Sequence, residues 1–369
     1  MRICKALTVS VAVVAVLIGA VGKMSPELFL NIPHVGFLPF MLLGGNNGIL
    51  PPFFDITPWK GNNPHEWLRD GDVVIAAGAK SGTTWLCYCV DAIRRKGIDT
   101  TGLPFTDISL TTPWMERTQQ PGETWAQRKT KYNTTTLPDG TRLRSYWDHD
   151  AFPFRVFMSH FTPRGPGKTD VLPVKEMPHI KFVMAVRNPF EVAKSAHTFF
   201  QKFTPGFRKM WGGFPPIFQD VESVMKELLP GGRLGDLYFG YVKAWWPYVK
   251  EPNVLPLHYS DMVRDVPALV EQLARFVGIA LGEEEKARVV EKCSFKHMKA
   301  NAHLFDYKLP LNTVGVTQVF LPSTFVNKGR SGDAEEGIEG DAARSFKKAI
   351  DDEFLDLELK RWALEGGAI

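Results

Sequence analysis

Beyond about residue 65 the chain alternates short, wholly apolar runs with longer amphipathic stretches. Residues 73–77 read Val-Val-Ile-Ala-Ala, with no polar position. That is the pattern of a strand buried on both faces. Residues 155–158 and 180–186 predict two more strands, and 254–257 a fourth. Between them lie helical patterns at 85–96, closed by Gly97, at 190–202, and at 266–277, closed by Gly278. Strands alternating with helices predict an α/β fold, a three-layer sandwich with a mainly parallel central sheet. No linker-like break follows residue 65, so 65–369 reads as one domain. Residues 23–64 form an irregular lead-in, with Pro and Gly clustered between Pro33 and Pro64.

The N-terminus departs from this rhythm. Arg2 and Lys5 precede a 16-residue apolar run from Ala6 to Val21. A charged start, an apolar run and the small residues Ala20-Val21-Gly22 describe a secretory signal. The run is shorter than a usual spanning helix. Residues 1–22 therefore read as a signal peptide or organelle leader, as a membrane anchor, or as a non-targeting extension. The first two imply a secretory-pathway, lumenal or membrane-anchored location, and the third a cytoplasmic one. The triplet Asn133-Thr134-Thr135 is a glycosylation sequon, consistent with a lumenal route.

Composition narrows the classes. Of 369 residues 44% are apolar and 23% charged, which excludes a disordered chain. Four cysteines are too few for a disulfide scaffold. Cys87 and Cys89 lie on different faces of the first helix and read as buried thiols. A net charge of +4 is weaker than a nucleic-acid binder usually shows, so no nucleic-acid partner is expected.

The first strand runs into Gly78-Ala79-Lys80-Ser81-Gly82-Thr83-Thr84-Trp85 and then a helix. Such a loop presents unpaired backbone N–H groups and a helix dipole to an anion. Lys80 adds a charge, and Ser81, Thr83 and Thr84 add hydroxyl donors. A plain helix cap is the other reading of the loop taken alone. It is not a Walker A loop, because the Lys precedes the Gly, and this disfavours a kinase or ATPase.

The loop is similar to the K-S-G-T-T-W segment of the cytosolic-type sulfotransferases, and further segments resemble that family in order. They are Pro113-Trp114-Met115-Glu116, Ser159-His160 with Pro163, Arg187-Asn188-Pro189 with Ser195, Tyr259-Ser260-Asp261-Met262, Cys293-Ser294-Phe295-Lys296, and Asn327-Lys328-Gly329 with Gly332-Asp333. The resemblance spans roughly residues 65–335 and implies a P-loop-like nucleotide-binding fold. It implies sulfuryl transfer from 3′-phosphoadenosine 5′-phosphosulfate to a hydroxyl, or an amine, of a small acceptor. Lys80, Ser81, Gly82, Thr83 and Thr84 then meet the 5′ side of the donor. Arg187, Ser195, Asn327, Lys328 and Gly329 surround its 3′-phosphate. Trp85 and Phe295 stack on adenine, with Tyr238 or Phe239 as further candidates. His160 is implied as general base, and Lys80 as the group that stabilises the leaving phosphate. Trp114 and Phe199 match acceptor-pocket positions. Phe152, Phe154 and Phe161 suggest an apolar or aromatic acceptor. No cluster has metal-ligand spacing, so no metal is implied.

Several positions depart from the family pattern. Met158 stands where relatives often carry a Lys, two residues before the His. Gly78-Ala79 replaces Tyr-Pro, Asn327 replaces an Arg for which Arg330 would compensate, and Ala334 replaces a Trp. The usual dimer motif has no counterpart after Asp333, which leaves the oligomeric state open. Residues 125–147 are longer than usual and read as a lid or hairpin. These departures keep a catalytically idle nucleotide-binding relative or scaffold as the alternative.

Overall fold

A computed structural model of the chain describes residues 66–99, 105–116, 124–137, 140–165, 170–210, 213, 215–306, 308–311, 315–318, 320–327, 329–332, 334 and 337–369. The signal or anchor reading of residues 1–22, the lead-in at 23–64 and the Lys328 assignment fall outside the described residues. Among those described, no helix is long and apolar enough to cross a membrane.

The central sheet has four strands, β1 (Val73–Ala77), β2 (Val156–Ser159), β3 (Lys181–Val186) and β4 (Val254–His258). Their order is β2-β1-β3-β4 and every pairing is parallel. The α/β sandwich with a mainly parallel sheet is therefore the observed fold, and each strand lies within a residue of its predicted span. All of β1 is buried, as its unbroken apolar run requires.

Alternate residues of each strand face opposite layers. Val74, Ala76, Phe182 and Met184 pack toward α3 (Pro189–Phe200), α4 (Phe239–Trp245), α9 (Gly340–Glu353) and α10 (Leu357–Glu365). Val73, Ile75, Val183 and Ala185 pack toward α1 (Thr83–Arg94), α6 (Val266–Val277) and α7 (Glu283–Cys293). Helices α5 (Tyr259–Arg264) and α8 (Phe295–Ala300) are short and sit beside the loops of the site. Helix α1 starts two residues before the predicted Trp85. Gly82 takes a left-handed φ of 94° as its N-cap, which places Thr83 and Thr84 in the first turn.

The 125–147 stretch is not a free lid. Helix α2 (Trp125–Thr134) opens with a capping box between Thr124 and Gln127. Trp125 and Trp147 are buried and meet Trp67 edge-on at 6.2 and 6.4 Å, and Trp67 meets Phe157 of β2 at 5.2 Å. The segment is thus pinned to the sheet, with one antiparallel bridge, Thr136 to Arg142, as its hairpin-like element. Asn133 of the sequon lies in the last turn of α2 and is partly buried. Cys87, Cys89 and Cys293 are buried free thiols.

A buried ion pair joins β1 and β2 where both begin. Arg155 Nε donates to Asp72 Oδ1 at 2.8 Å, and its Nη2 donates to the other carboxylate oxygen and to the Trp67 carbonyl. The adjacent Val73 N–H donates to the Arg155 carbonyl at 2.9 Å. Removing one partner strands the other charge in the interior. Asp72→Ala should therefore lower unfolding free energy by about 3–5 kcal/mol in denaturant titrations. A loss under about 1 kcal/mol would show that the pair is not a clamp.

Candidate active site

The loops at the C-terminal edge of the parallel sheet converge, and the first leaves β1. Gly78 lies against Tyr241, whose ring would be 3.0 Å from any added Cβ, and the Tyr241 hydroxyl donates to the Ala76 carbonyl. Lys80 has a φ of 62°, a conformation uncommon for a residue with a side chain. Its Nζ lies 3.8 Å from the Phe199 ring centroid and 5.6 Å from that of Phe325. Burial pushes its pKa down to about 7, and the like charges of Lys202 and Arg187 add to the effect. Ser81, Thr83 and Thr84 are buried at the helix entrance.

His160 follows β2. Its Nδ1 lies 2.7 Å from the Ala77 carbonyl, which can only accept, so the ring proton sits on Nδ1 and Nε2 keeps its lone pair. Burial lowers the imidazole pKa to about 4, against the raising effect of the Ala77 bond, and the charge of Lys80 lowers it further. Trp114 meets the ring edge-on at 5.6 Å.

The Pro113-to-Glu116 segment runs beside β2. Met158 N–H donates to the Pro113 carbonyl at 2.9 Å, and Met115 N–H donates to the Met158 carbonyl at 2.8 Å. Arg128 of α2 caps this segment by donating to the Met115 and Trp114 carbonyls. The segment delivers Glu116, one oxygen of which accepts from Ser159 Oγ at 2.9 Å and from the His160 N–H. The other oxygen is buried without a hydrogen-bond partner among the described residues. Burial raises the Glu116 pKa to about 7, even though those hydrogen bonds favour the charged form.

Arg187 leaves β3. Its Nε donates to Glu191 at 2.8 Å, its Nη1 reaches the Lys80 carbonyl at 3.5 Å and its Nη2 the Arg330 carbonyl at 3.2 Å. Its guanidinium lies 4.1 Å from the Tyr259 ring centroid. Burial alone would raise the Glu191 pKa. Hydrogen bonds from Arg187, the Gly332 N–H and the Ser331 hydroxyl instead hold it below the usual carboxylate range. Ser195 lies further along α3, partly buried. Trp85 Nε1 donates to the Cys293 carbonyl at 2.8 Å, two residues before the exposed Phe295. Gly329 has a φ of 59°, and an added Cβ would stand 2.1 Å from the Phe295 ring, so only glycine fits beneath it.

Lys80, Trp114, His160, Arg187 and Phe199 thus share one sheet edge, with Trp85, Phe295 and Gly329 flanking it. Asn327 is exposed, and Arg330 joins through its carbonyl. Tyr238 and Phe239 are buried and not available for stacking. The Tyr238 hydroxyl donates to the Arg187 carbonyl at 3.1 Å, and Phe239 packs against Phe346 and Phe354. Phe152 lies under Arg94 and Arg95, while Phe154 and Phe161 are core residues. Sequence reasoning gave no role to Glu116, Glu191 or Tyr259. The four-residue step from Arg187, just before α3, to Glu191 in its first turn was the signal for that pair.

Comparison with known proteins finds relatives of this chain. The family model described as a sulfotransferase domain matches residues 70–358. Human sulfotransferase 2A1 is 26% identical over 300 residues, covering 80% of this chain and 89% of its own length. A guinea-pig (Cavia porcellus) 3-beta-hydroxysteroid sulfotransferase is 26% identical over 282 residues, covering 76% and 83%. Among solved structures, mouse sulfotransferase SULT7A1 complexed with PAP superposes with a TM-score of 0.57 at 19% identity, covering 86% of this chain and 96% of that one. Retinol dehydratase, solved with androsterone and the inactive cofactor PAP and separately with retinol and PAP, gives 0.55 at 20% identity in both cases, covering 79% and 83% in the first.

The buried Glu116 carboxyl has a stability signature. Its folded pKa is raised, so its contribution is fully present below the unfolded value near 4.5 and is lost as pH rises through about 7. Glu116→Gln keeps the acceptor oxygen and removes the titration. The stability difference between the parent and this variant should shift by up to about 3 kcal/mol against the parent between pH 4.5 and 7. A difference that does not change with pH across that window would mean that the carboxyl titrates normally.

Proposed function

The chain belongs to the sulfotransferase family, and on that premise we propose that it moves the sulfuryl group of 3′-phosphoadenosine 5′-phosphosulfate to a hydroxyl of a small apolar or aromatic acceptor. The observation that carries this reading is the His160 imidazole, fixed by the Ala77 carbonyl with its Nε2 lone pair free, within the electrostatic reach of Lys80. The residues fit a polyanionic donor. Lys80 and Arg187 concentrate positive charge at one edge, and Lys80 has no carboxylate partner among the described residues. The close approach of Gly329 to Phe295 gives a narrow place where backbone and ring could meet a flat base and its phosphate.

In this reading His160 Nε2 takes the hydroxyl proton as the acceptor oxygen bonds to sulfur. Lys80 stabilises the charge gathering on the phosphate oxygen as the bridging S–O bond breaks. Glu116 holds the His160 backbone and so positions the base. Arg187, oriented by Glu191, meets the 3′-phosphate. Trp114 and Phe199 line the acceptor side, where the hydroxylated apolar ligands of retinol dehydratase are the nearest chemical guide.

His160→Ala should lower kcat by about 10²–10⁴-fold and leave the affinity for adenosine 3′,5′-bisphosphate within threefold. Loss of nucleotide binding in that variant would make His160 structural. Tight nucleotide binding by the parent, with no turnover on a panel of phenols, alcohols and amines, would favour the idle relative. Arg187→Ala should weaken nucleotide binding at least tenfold; an unchanged affinity removes Arg187 from the site.

The pH profile supplies a separate check. Because His160 is neutral above about pH 4, no acid limb should appear near 6.5. Lys80 is cationic only below its lowered pKa of about 7, so kcat/KM for the donor should fall above that pH. Lys80→Arg should move this alkaline limb upward. A limb that stays in place assigns it to another group.

A further inference from the structure

Helix α3 carries opposite ends of the site. Arg187 stands just before it and Lys202 just after it, so roughly 20 Å of chain separates their backbones at 1.5 Å per residue. Lys80 links the two ends, with its carbonyl near Arg187 and its Nζ against Phe199. Lys202 is the strongest of the like charges felt at Lys80, ahead of Arg187. Its backbone, three residues beyond Phe199, lies at the acceptor end of α3, away from the guanidinium proposed to meet the 3′-phosphate.

Lys202 is held in place. Its N–H donates to the Phe199 carbonyl at 3.0 Å, and its own carbonyl accepts from Leu321 N–H at 2.9 Å. Its backbone thereby stands beside an aromatic wall in which Phe199 and Phe325 meet Phe320 at 5.1 and 5.7 Å, backed by the buried Phe203 at 4.6 Å from Phe320. Lys299 faces the same place from α8, its Nζ donating to the Val326 carbonyl at 2.8 Å. Burial pushes the Lys202 pKa down to about 8, and the like charge of Lys299 adds to it.

No carboxylate among the described residues pairs with Lys80, Lys202 or Lys299, whereas Lys96, Lys243, Lys286 and Lys292 each pair with one. A lysine after the last turn of a helix can simply complement the dipole, but that role favours a hydrated side chain away from other cations. A partly buried lysine crowded by two others is costly unless an anion joins it. We infer that Lys202, supported by Lys299, binds a carboxylate on the acceptor, so that the preferred substrates are hydroxylated apolar acids whose body lies on the Phe199–Phe320–Phe325 wall. This rests on the sulfotransferase reading of the site.

The test uses size-matched acceptor pairs with the full-length enzyme: 3-(4-hydroxyphenyl)propanoate against 4-butylphenol, and 16-hydroxyhexadecanoate against hexadecan-1-ol. In at least one pair the acid should have the higher kcat/KM, by about tenfold, as expected of a charge-assisted contact. Lys202→Gln should reduce the acid-to-neutral ratio at least tenfold, chiefly through KM for the acid. A parent enzyme that does not prefer the acid in either pair overturns the inference. So does a Lys202→Gln variant that slows acid and neutral acceptors equally, which would place Lys202 at the donor. Binding of the same four compounds to the complex with adenosine 3′,5′-bisphosphate, by calorimetry, separates the two readings. Lys202-dependent preference for an acid without turnover sustains the anion site and fails the catalytic reading; no such preference in binding or turnover fails the anion site.

Discussion

Parallel pairing of β1 with β2 on one side and β3 on the other is the constraint from which the site follows. Ala76 pairs with Ser159 and with Met184, and Val186 pairs with His258. With the strands in this register, the residues that follow each one emerge at the same edge. Lys80, His160, Arg187 and Tyr259 come from four separate parts of the chain and meet because each follows a parallel strand. The Asp72–Arg155 pair acts at the opposite end of β1 and β2. It resists a slip between the two strands, and a slip of one residue would turn every side chain of a strand to the other layer. The distance from Ala77 to His160, and with it the tautomer of the imidazole, depends on that register.

The cations of the site are handled in two ways. Arg187 is locked by Glu191, two carbonyls and the Tyr259 face. Lys80 lies on an apolar ring with like charges nearby, and its pKa falls to about 7. Arg187 is therefore set before any ligand arrives, whereas Lys80 is stabilised fully only when an anion meets it. An anion that forms during reaction gains more from such a lysine than from one already neutralised by a carboxylate. The carboxylates that do lie close by, Glu116 and Glu191, face backbone N–H groups, hydroxyls and Arg187 rather than Lys80.

The strands and the β1–α1 loop were legible because local chemistry dictates them. A five-residue apolar run has few alternatives, and a loop that must turn sharply before a helix shows its glycine. The start of α1 was misplaced because Thr83 and Thr84 read equally well as cap or first turn, and only the left-handed Gly82 decides between them. The 125–147 segment read as a lid or hairpin because its indoles could not be assigned to the Trp67 cluster, a set of contacts distant in sequence. Glu116 sat within a segment of known order, but its contact with the His160 N–H depends on the bridge between Trp114 and Met158. Tyr238 and Phe239 looked available for stacking because a sequence does not show that α9 and the residues before α10 cover them.

Met158 bears on the charge balance of the whole edge. A lysine is often found at this position in relatives, whereas here a buried, uncharged side chain packs in the layer shared with Ile75 and Val156. A second ammonium there would sit two residues from His160, on the strand paired with the one that leads into the Lys80 loop. It would depress both pKa values beyond what burial already does. Its absence leaves Lys80 as the lysine whose charge acts on the imidazole, with Arg187 before α3 and Lys202 after it as the like charges that act on Lys80. The positive field is therefore spread from the edge of the sheet toward the aromatic wall. In the proposed reaction, a charge placed toward that wall would contribute less to the bond that breaks and more to a group at the far end of the acceptor.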